Sequence, residues 1–206
     1  MYLVKTPLLL KKLYPQLVWD MPVDSKCIYL TFDDGPIPIV TPWVLNILQR
    51  YNAKATFFCI GDNVNKHPEI FEQVKNAGHA IGNHTYNHLK GWDTDDKIYL
   101  DNFLLADEQL NTNLFRPPYG RIKRSQVKLL KQYKPDLDII MWNVLSGDFD
   151  INLQPEKCLA NVTRNTKSGD IVLFHDSEKA FGRLAYVLPR AMAYWSKEGY
   201  SFNVII

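Results

Sequence analysis

Short, nearly unbroken apolar runs alternate along the chain with longer stretches in which apolar residues recur every three or four positions. The first run, Cys27 to Phe32, is apolar except at Thr31, as a strand covered on both faces would be. Similar strand-like runs are expected at residues 55–60, 79–83, 114–116, 138–144, 171–174 and 201–206. Between them, Val44, Leu45, Ile47 and Leu48 make one helical face after Thr41-Pro42, which reads as N-cap and first helical residue. Ile70, Phe71, Val74 and Ala77 make another between His67-Pro68 and the stop at Gly78. Helices are also expected over about 94–111, 125–133, 154–166 and 187–197, the last with Pro189 near its start. Residues 1–26 hold three prolines and little periodicity, and are expected to form an N-terminal segment packed on a domain spanning 27–206.

About seven strands alternating with six helices is the pattern of parallel βα units, not of a sandwich or a bundle. Right-handed crossovers roll such a sheet into a distorted (β/α) barrel with about seven parallel strands, one unit short of the usual eight. An open α/β sheet is the alternative. No repeat or low-complexity linker divides the chain.

Composition narrows the function classes. A chain of 206 residues that is 46% hydrophobic holds one domain with a sizeable core. Its 24 basic and 22 acidic residues are scattered, so neither a nucleic acid nor an anionic lipid surface is indicated as partner. Cys27, Cys59 and Cys158 lack the spacing of a zinc ribbon and the even count of a disulfide framework, and read as small core residues. Lys5, Pro7, Lys11 and Lys12 interrupt Leu8-Leu9-Leu10, so neither a membrane span nor a signal peptide is expected. As sequenced, the chain reads as a cytoplasmic monomer, with export through a removed leader left open.

The chemistry gathers at the ends of the expected strands. Asp33 and Asp34 close the first, immediately before Gly35-Pro36 breaks it, and two neighbouring carboxylates there call for a cation or an arginine. His84 and His88 follow the third, Arg116 ends the fourth, Asp148 follows the fifth and His175 ends the sixth. In a βα barrel all these ends open onto one face. The spacing of His84 and His88 matches one helical turn, which would aim both imidazoles the same way and supply half of a zinc site. With a carboxylate from the first strand, a position stays open for water, as a catalytic metal needs. A serine-hydrolase reading through Ser146, Asp148 and His175 lacks a nucleophile elbow and leaves the carboxylate and histidine pairs idle. Metal-dependent hydrolysis of a cyclic amide or phosphoester uses the same ligands, but no cationic cluster besides Arg116 awaits a phosphate. A non-catalytic sugar-binding protein is a further alternative, with Trp92, Phe149 and Phe181 expected in loops near the mouth as stacking surfaces.

Thr31-Phe32-Asp33-Asp34-Gly35, His84-Thr85-Tyr86-Asn87-His88, Arg116-Pro117-Pro118-Tyr119-Gly120, Asp148-Phe149 and Leu173-Phe174-His175 resemble the five ordered motifs of the polysaccharide deacetylases, the NodB-homology or family 4 carbohydrate esterases. The resemblance spans about residues 27–206 and implies metal-dependent removal of N- or O-acetyl groups from a carbohydrate polymer or oligomer. It makes Asp34, His84 and His88 the ligands of one divalent metal, with zinc favoured and cobalt, manganese or nickel acceptable to the same donors. It makes Asp33 the general base oriented by Arg116, and His175 the general acid braced by Asp148. Tyr119 would offer its backbone N–H to the oxyanion, Leu173 would line the acetyl pocket, and Phe149 and Trp92 would border the substrate. Two positions depart from the pattern: Phe149 stands where the family commonly has Trp, and Leu145 where it often has Asp. With His175 required in its protonated form, the rate is expected to peak near neutral pH and fall on the alkaline side.

Overall fold

The computed structural model describes residues 2–23 and 25–206. In chain order its elements are α1 (Leu8–Leu13), β1 (Cys27–Asp33), α2 (Val40–Arg50), β2 (Ala55–Cys59), α3 (Gly61–Lys66), α4 (Pro68–Asn76), β3 (Ala80–Asn83), α5 (Asp96–Leu110), β4 (Leu114–Phe115), α6 (Arg124–Tyr133), β5 (Asp138–Ile139), β6 (Val144–Leu145), α7 (Pro155–Asn165), β7 (Ile171–His175), α8 (Glu178–Lys197) and β8 (Ser201–Phe202). Seven strands pair in parallel in the order β5-β4-β3-β2-β1-β7-β6, and β8 pairs with the start of β1. This is a parallel half-barrel flanked by helices, the distorted (β/α) barrel and not the open sheet.

Register decides which side chains look inward. Tyr29, Thr31 and Asp33 of β1 pair with Ile171, Leu173 and His175 of β7, and Thr31 and Asp33 pair with Thr56 and Phe58 of β2. Alternation along a strand puts this whole set on the concave face. The opposite set, with Leu30, Phe32, Phe57, Val172 and Phe174, is buried against Val44, Leu48, Leu184, Leu188 and Trp195 of α2 and α8. Each such side chain contributes roughly 1.5–3 kcal/mol by leaving water. A second cluster joins Tyr99 and Phe103 of α5 to Val127 and Leu130 of α6 over Phe115 and Ile139. The three cysteines are free and buried, as core residues.

Among the described residues no ladder joins β5 to β6. The N-terminal segment lies in this seam: Val18 pairs with Ile140 and Lys5 with Val144. Thr6 N–H donates to the Asn143 carbonyl at 2.9 Å, and Leu145 N–H donates to the Val4 carbonyl at 2.8 Å.

Several elements differ from the sequence expectation. The strand expected over 138–144 is two, β5 and β6, because the intervening carbonyls of Ile140 and Met141 accept from the Arg116 side chain. The last strand is only Ser201–Phe202, since Ile205 N–H turns to the Thr56 hydroxyl. The final helix begins at Glu178 and carries Pro189 in its interior; its buried stripe from Ala180 to Trp195 outweighs the proline that suggested a later start. The second helix starts at Val40, and Thr41 does not cap it, because its hydroxyl donates to Asp176. Among the described residues no helix is long and apolar enough to cross a membrane.

Candidate active site

The site begins where β1 ends. In a regular strand Asp33 and Asp34 would point to opposite faces. Asp34 instead adopts φ 85°, which turns the chain and returns its carboxylate to the same cleft. A left-handed non-glycine residue costs roughly 1–3 kcal/mol and needs support from its surroundings. That support is specific: Asn63 Nδ2 donates to the Asp34 carbonyl at 2.7 Å, Gly35 N–H donates to Asp176 Oδ1 at 3.1 Å, and the Thr41 hydroxyl donates to Asp176 Oδ2 at 2.6 Å. A Cβ on Gly35 would sit 2.0 Å from Asp176 Oδ2, so this packing requires glycine.

Asp34 Oδ1 is buried and, among the described residues, has no hydrogen-bond partner. It lies 3.4 Å from His88 Nε2 and 3.9 Å from His84 Nε2. His84 Nδ1 donates to the Arg116 carbonyl at 2.7 Å, which leaves the Nε2 lone pair facing Asp34. Burial, then the neighbouring His88, holds His84 well below the usual imidazole range, and burial also lowers His88. Both rings are therefore the neutral donors that ligate a metal. They do not share the helical turn that their spacing suggests. Residues 84–88 form an irregular loop with Thr85 at φ 63° and His88 at φ 58°. Thr85 N–H donates to Asn83 Oδ1 at 2.8 Å, and Leu89 N–H donates to Thr85 Oγ1 at 3.1 Å, fixing the loop.

The donor atoms of Asp34, His84 and His88 all lie within 4.8 Å of one another. Ligand atoms about 2.0–2.2 Å from a tetrahedral cation stand roughly 3.3–3.6 Å apart, so small side-chain shifts close this set on an ion. An unpaired carboxylate oxygen between two neutral imidazole nitrogens fits a divalent metal, and the three residues form such a site.

Asp33 is buried beside it. Arg116, fully buried on the residue after β4, donates through Nη1 to Asp33 Oδ1 and to Thr31 Oγ1, both at 2.8 Å. Nε and Nη2 of the same guanidinium donate to the carbonyls of Ile140 and Met141 at 3.1 and 2.8 Å, and its plane lies 4.1 Å from the Phe58 ring centroid. All three nitrogens of the arginine are thus engaged, and Asp33 Oδ2 is left facing His84 Nε2 at 3.8 Å.

Across the cleft, Asp148 is fully buried and grips His175 twice. Its Oδ1 accepts from the ring Nδ1 at 2.8 Å and its Oδ2 accepts from the backbone N–H at 2.8 Å. Burial alone would lower the His175 pKa. The Asp148 carboxylate, by charge and hydrogen bond, with Asp34 and Asp33 behind it, outweighs burial and raises the value to about 9. The ring is thus a cation at neutral pH, with Nε2 as its free edge.

A cleft of about 630 Å³ covers these groups, lined among others by Asp33, Asp34, His84, His88, Tyr119 and His175. Leu145, Phe149 and Leu173 supply apolar wall. Phe149 meets His175 edge-on with ring centroids 5.3 Å apart, and Tyr119, at φ 60°, packs its ring 4.6 Å from that of His88. Arg116 and Asp148 lie beneath the lining. Trp92 is not part of it: the ring stands outside, donates to the Ile122 carbonyl at 3.2 Å and carries the Arg121 guanidinium at 4.7 Å. Phe181 is also away from the mouth, on α8 against Trp43 with centroids 5.5 Å apart. Three contributors escaped the sequence reading: Asp176, which braces the Asp34 turn; Thr31, which shares the arginine; and Tyr2, in the cleft wall. Only Thr31 carried a signal, as the one polar residue in an apolar strand.

Comparison with known proteins relates the whole chain to one family. The family described as polysaccharide deacetylase matches residues 20–136. A peptidoglycan-N-acetylglucosamine deacetylase of Bacillus cereus is 37% identical over 206 aligned positions, which cover 96% of each chain. The chain spans 58% of the length of a second protein of that description from the same species. Among solved structures, a peptidoglycan N-acetylglucosamine deacetylase in complex with 4-naphthalen-1-yl-N-oxidanyl-benzamide superposes with a TM-score of 0.85 at 29% identity, covering 92% of this chain and 91% of that one. A family 4 pseudoenzyme from Bacillus anthracis shares the fold, with a TM-score of 0.77 at 24% identity and coverage of 91% and 66%.

Proposed function

The chain belongs to the polysaccharide deacetylase family, and from that premise we propose that it hydrolyses acetyl groups on the amino sugars of a carbohydrate polymer, with Asp33 as base and His175 as acid. The observation that carries the reading is the buried, unpartnered Oδ1 of Asp34 between two neutral imidazoles, with a base on one side and an acid on the other. Asp34, His84 and His88 would hold a divalent cation, with zinc favoured, which would supply Lewis-acid activation of water and of the acetyl carbonyl. Arg116 fixes Asp33 so that Oδ2 takes the proton of the attacking water. The Tyr119 backbone N–H, presented by its left-handed turn, donates to the oxyanion. His175, held charged by Asp148, gives its Nε2 proton to the departing amine. Leu173 and Leu145 exclude water around the acetyl methyl.

The relatives support N-acetylglucosamine units of peptidoglycan as substrate, and a charged acid suits the poor leaving group of an amide. A wall polymer lies outside the cytoplasm, so this substrate requires export, against the cytoplasmic expectation. The test is acetate release from chitin oligomers and from soluble peptidoglycan fragments, before chelation, after it, and after zinc is returned. Release that is lost on chelation and restored by the metal supports the reading. Sugar binding with no acetate at any metal loading would place the chain with the pseudoenzymes instead.

A further inference from the structure

The cleft contains a residue that neither the motifs nor the family match covers, since that match begins at residue 20. Tyr2 lines the cleft, half-buried, at the end of the segment that fills the seam between β5 and β6. Its position is built from three sides. Its hydroxyl donates to Asp150 Oδ2 at 3.1 Å, and its ring lies 5.1 Å from Phe149, tilted 58°, which in turn meets His175 edge-on. Gly147, at φ 82°, leaves the room: a Cβ there would come within 2.8 Å of the Tyr2 hydroxyl oxygen. The bonds of Val4 to Leu145 and of Thr6 to Asn143 hold the backbone that delivers it. Burial and the Asp150 carboxylate push the Tyr2 hydroxyl up to about 12, so it stays a donor and the tether holds across the working pH range.

The surroundings say what the ring is for. Leu145, Phe149 and Leu173 make this wall of the cleft apolar. Tyr2 extends it with a flat aromatic face fixed at one end, next to the acid that protonates the leaving group. Aromatic faces with a tethered polar tip suit the apolar face of a pyranose, whose hydroxyls point sideways to water. We propose that Tyr2, carried into the cleft by the N-terminal segment and tethered by Asp150, forms with Phe149 the wall on which a sugar ring of the substrate packs. The proposal rests on the deacetylase reading for the class of ligand, an acetylated glycan.

The experiment is calorimetric binding of N-acetylglucosamine tetramer and of a soluble peptidoglycan fragment to the full zinc-loaded chain, with Asp33→Asn stopping turnover. Adding Tyr2→Ala is expected to weaken the glycan that binds by about 5- to 20-fold, whereas Tyr2→Phe, which keeps the ring, stays within about threefold. Zinc content should be equal in all three. Binding by Tyr2→Ala within about twofold of its parent overturns the proposal, and equal losses in both Tyr2 variants would assign the effect to the hydroxyl and overturn the packing role. A parent that binds neither glycan overturns the wall and the function together. If binding depends on Tyr2 while the unsubstituted enzyme releases no acetate, the wall stands and the deacetylase reading falls.

Discussion

Replacing Asp148 by Asn removes one charge and keeps the shape, so it isolates the electrostatic part of the acid's support. In the native site the imidazole of His175 is raised to about 9, chiefly because the Asp148 carboxylate outweighs the burial that would otherwise lower it. With a neutral amide in its place, burial dominates and the value drops below the ordinary imidazole pKa of about 6.5. At about pH 7.5 the charged fraction then falls from about 0.97 to below roughly 0.1. The sign follows from the role: an acid that must be protonated loses rate as pH rises through its pKa, so the alkaline limb of the native enzyme is expected near 9. A bound cation offsets the contributions of Asp34 and Asp33, which places the limb at or somewhat below that value. In Asp148→Asn it should move down by about two units, with a loss of about tenfold or more at pH 7.5 and a smaller one near pH 6. The assay is kcat/KM for acetate release at saturating zinc across about pH 5.5 to 10. An alkaline limb unchanged in Asp148→Asn would refute the coupling of this carboxylate to the acid, and an unchanged limb in His175→Ala would remove the histidine from the mechanism.

The two carboxylates at the end of β1 should separate in their effects. Asp33→Asn is expected to keep zinc at one equivalent while losing on the order of 10²- to 10⁴-fold in turnover, whereas His84→Ala loses zinc and turnover together; metal analysis beside the acetate assay decides, and near-native turnover in Asp33→Asn would dismiss it as base. Arg116→Met leaves Asp33 buried with no counter-charge and should lower the unfolding free energy of the metal-free protein by about 3–5 kcal/mol, read by denaturant melts; a loss under about 1 kcal/mol would mean that water reaches the pair. Gly35→Ala drives a Cβ into Asp176, at 2.0 Å from its Oδ2, and should weaken zinc binding about tenfold or more through the Asp34 turn, which a competitive chelator titration measures.

Much of this arrangement is written locally, and some of it is not. Parallel strands end on one side of a barrel, so the positions of Asp33, Arg116 and His175 at strand ends could be read without coordinates. The inward parity of Thr31, Asp33, Leu173 and His175 follows from the same alternation. The histidine pair was legible as a pair but not in its conformation: i and i+4 matched a helical turn, and the chain reaches the same convergence through left-handed Thr85 and His88. The break between β5 and β6 was hidden because its cause is Arg116, remote in sequence, which captures the carbonyls a continuous strand would use. Asp176 follows the last motif without belonging to it, and only its contacts with Gly35 and Thr41 give it a role. Tyr2 lies 148 positions from its tether, a separation no local pattern bridges.

The division between Asp33 and Asp34 shows how far environment outranks identity. The two are neighbours of the same chemistry, yet one already has a partner for its charge and the other does not. Arg116 meets Oδ1 of Asp33 in a site where it is itself held by Thr31 and two carbonyls, so that pair cannot part without leaving a fully buried guanidinium unsatisfied. A second cation at Asp33 would be repelled by the first. Asp34, turned by its left-handed backbone, presents a buried oxygen that no donor among the described residues satisfies, beside the neutral imidazoles of His84 and His88. Positive charge is therefore drawn to Asp34, and Asp33 keeps one oxygen available for a proton a few ångströms away. Moving the arginine's donors from one aspartate to the other would reverse the assignment with no change in the motif, which is why Asp33-Asp34 acquires its meaning only from the strands that supply Arg116 and the loop that supplies His84 and His88.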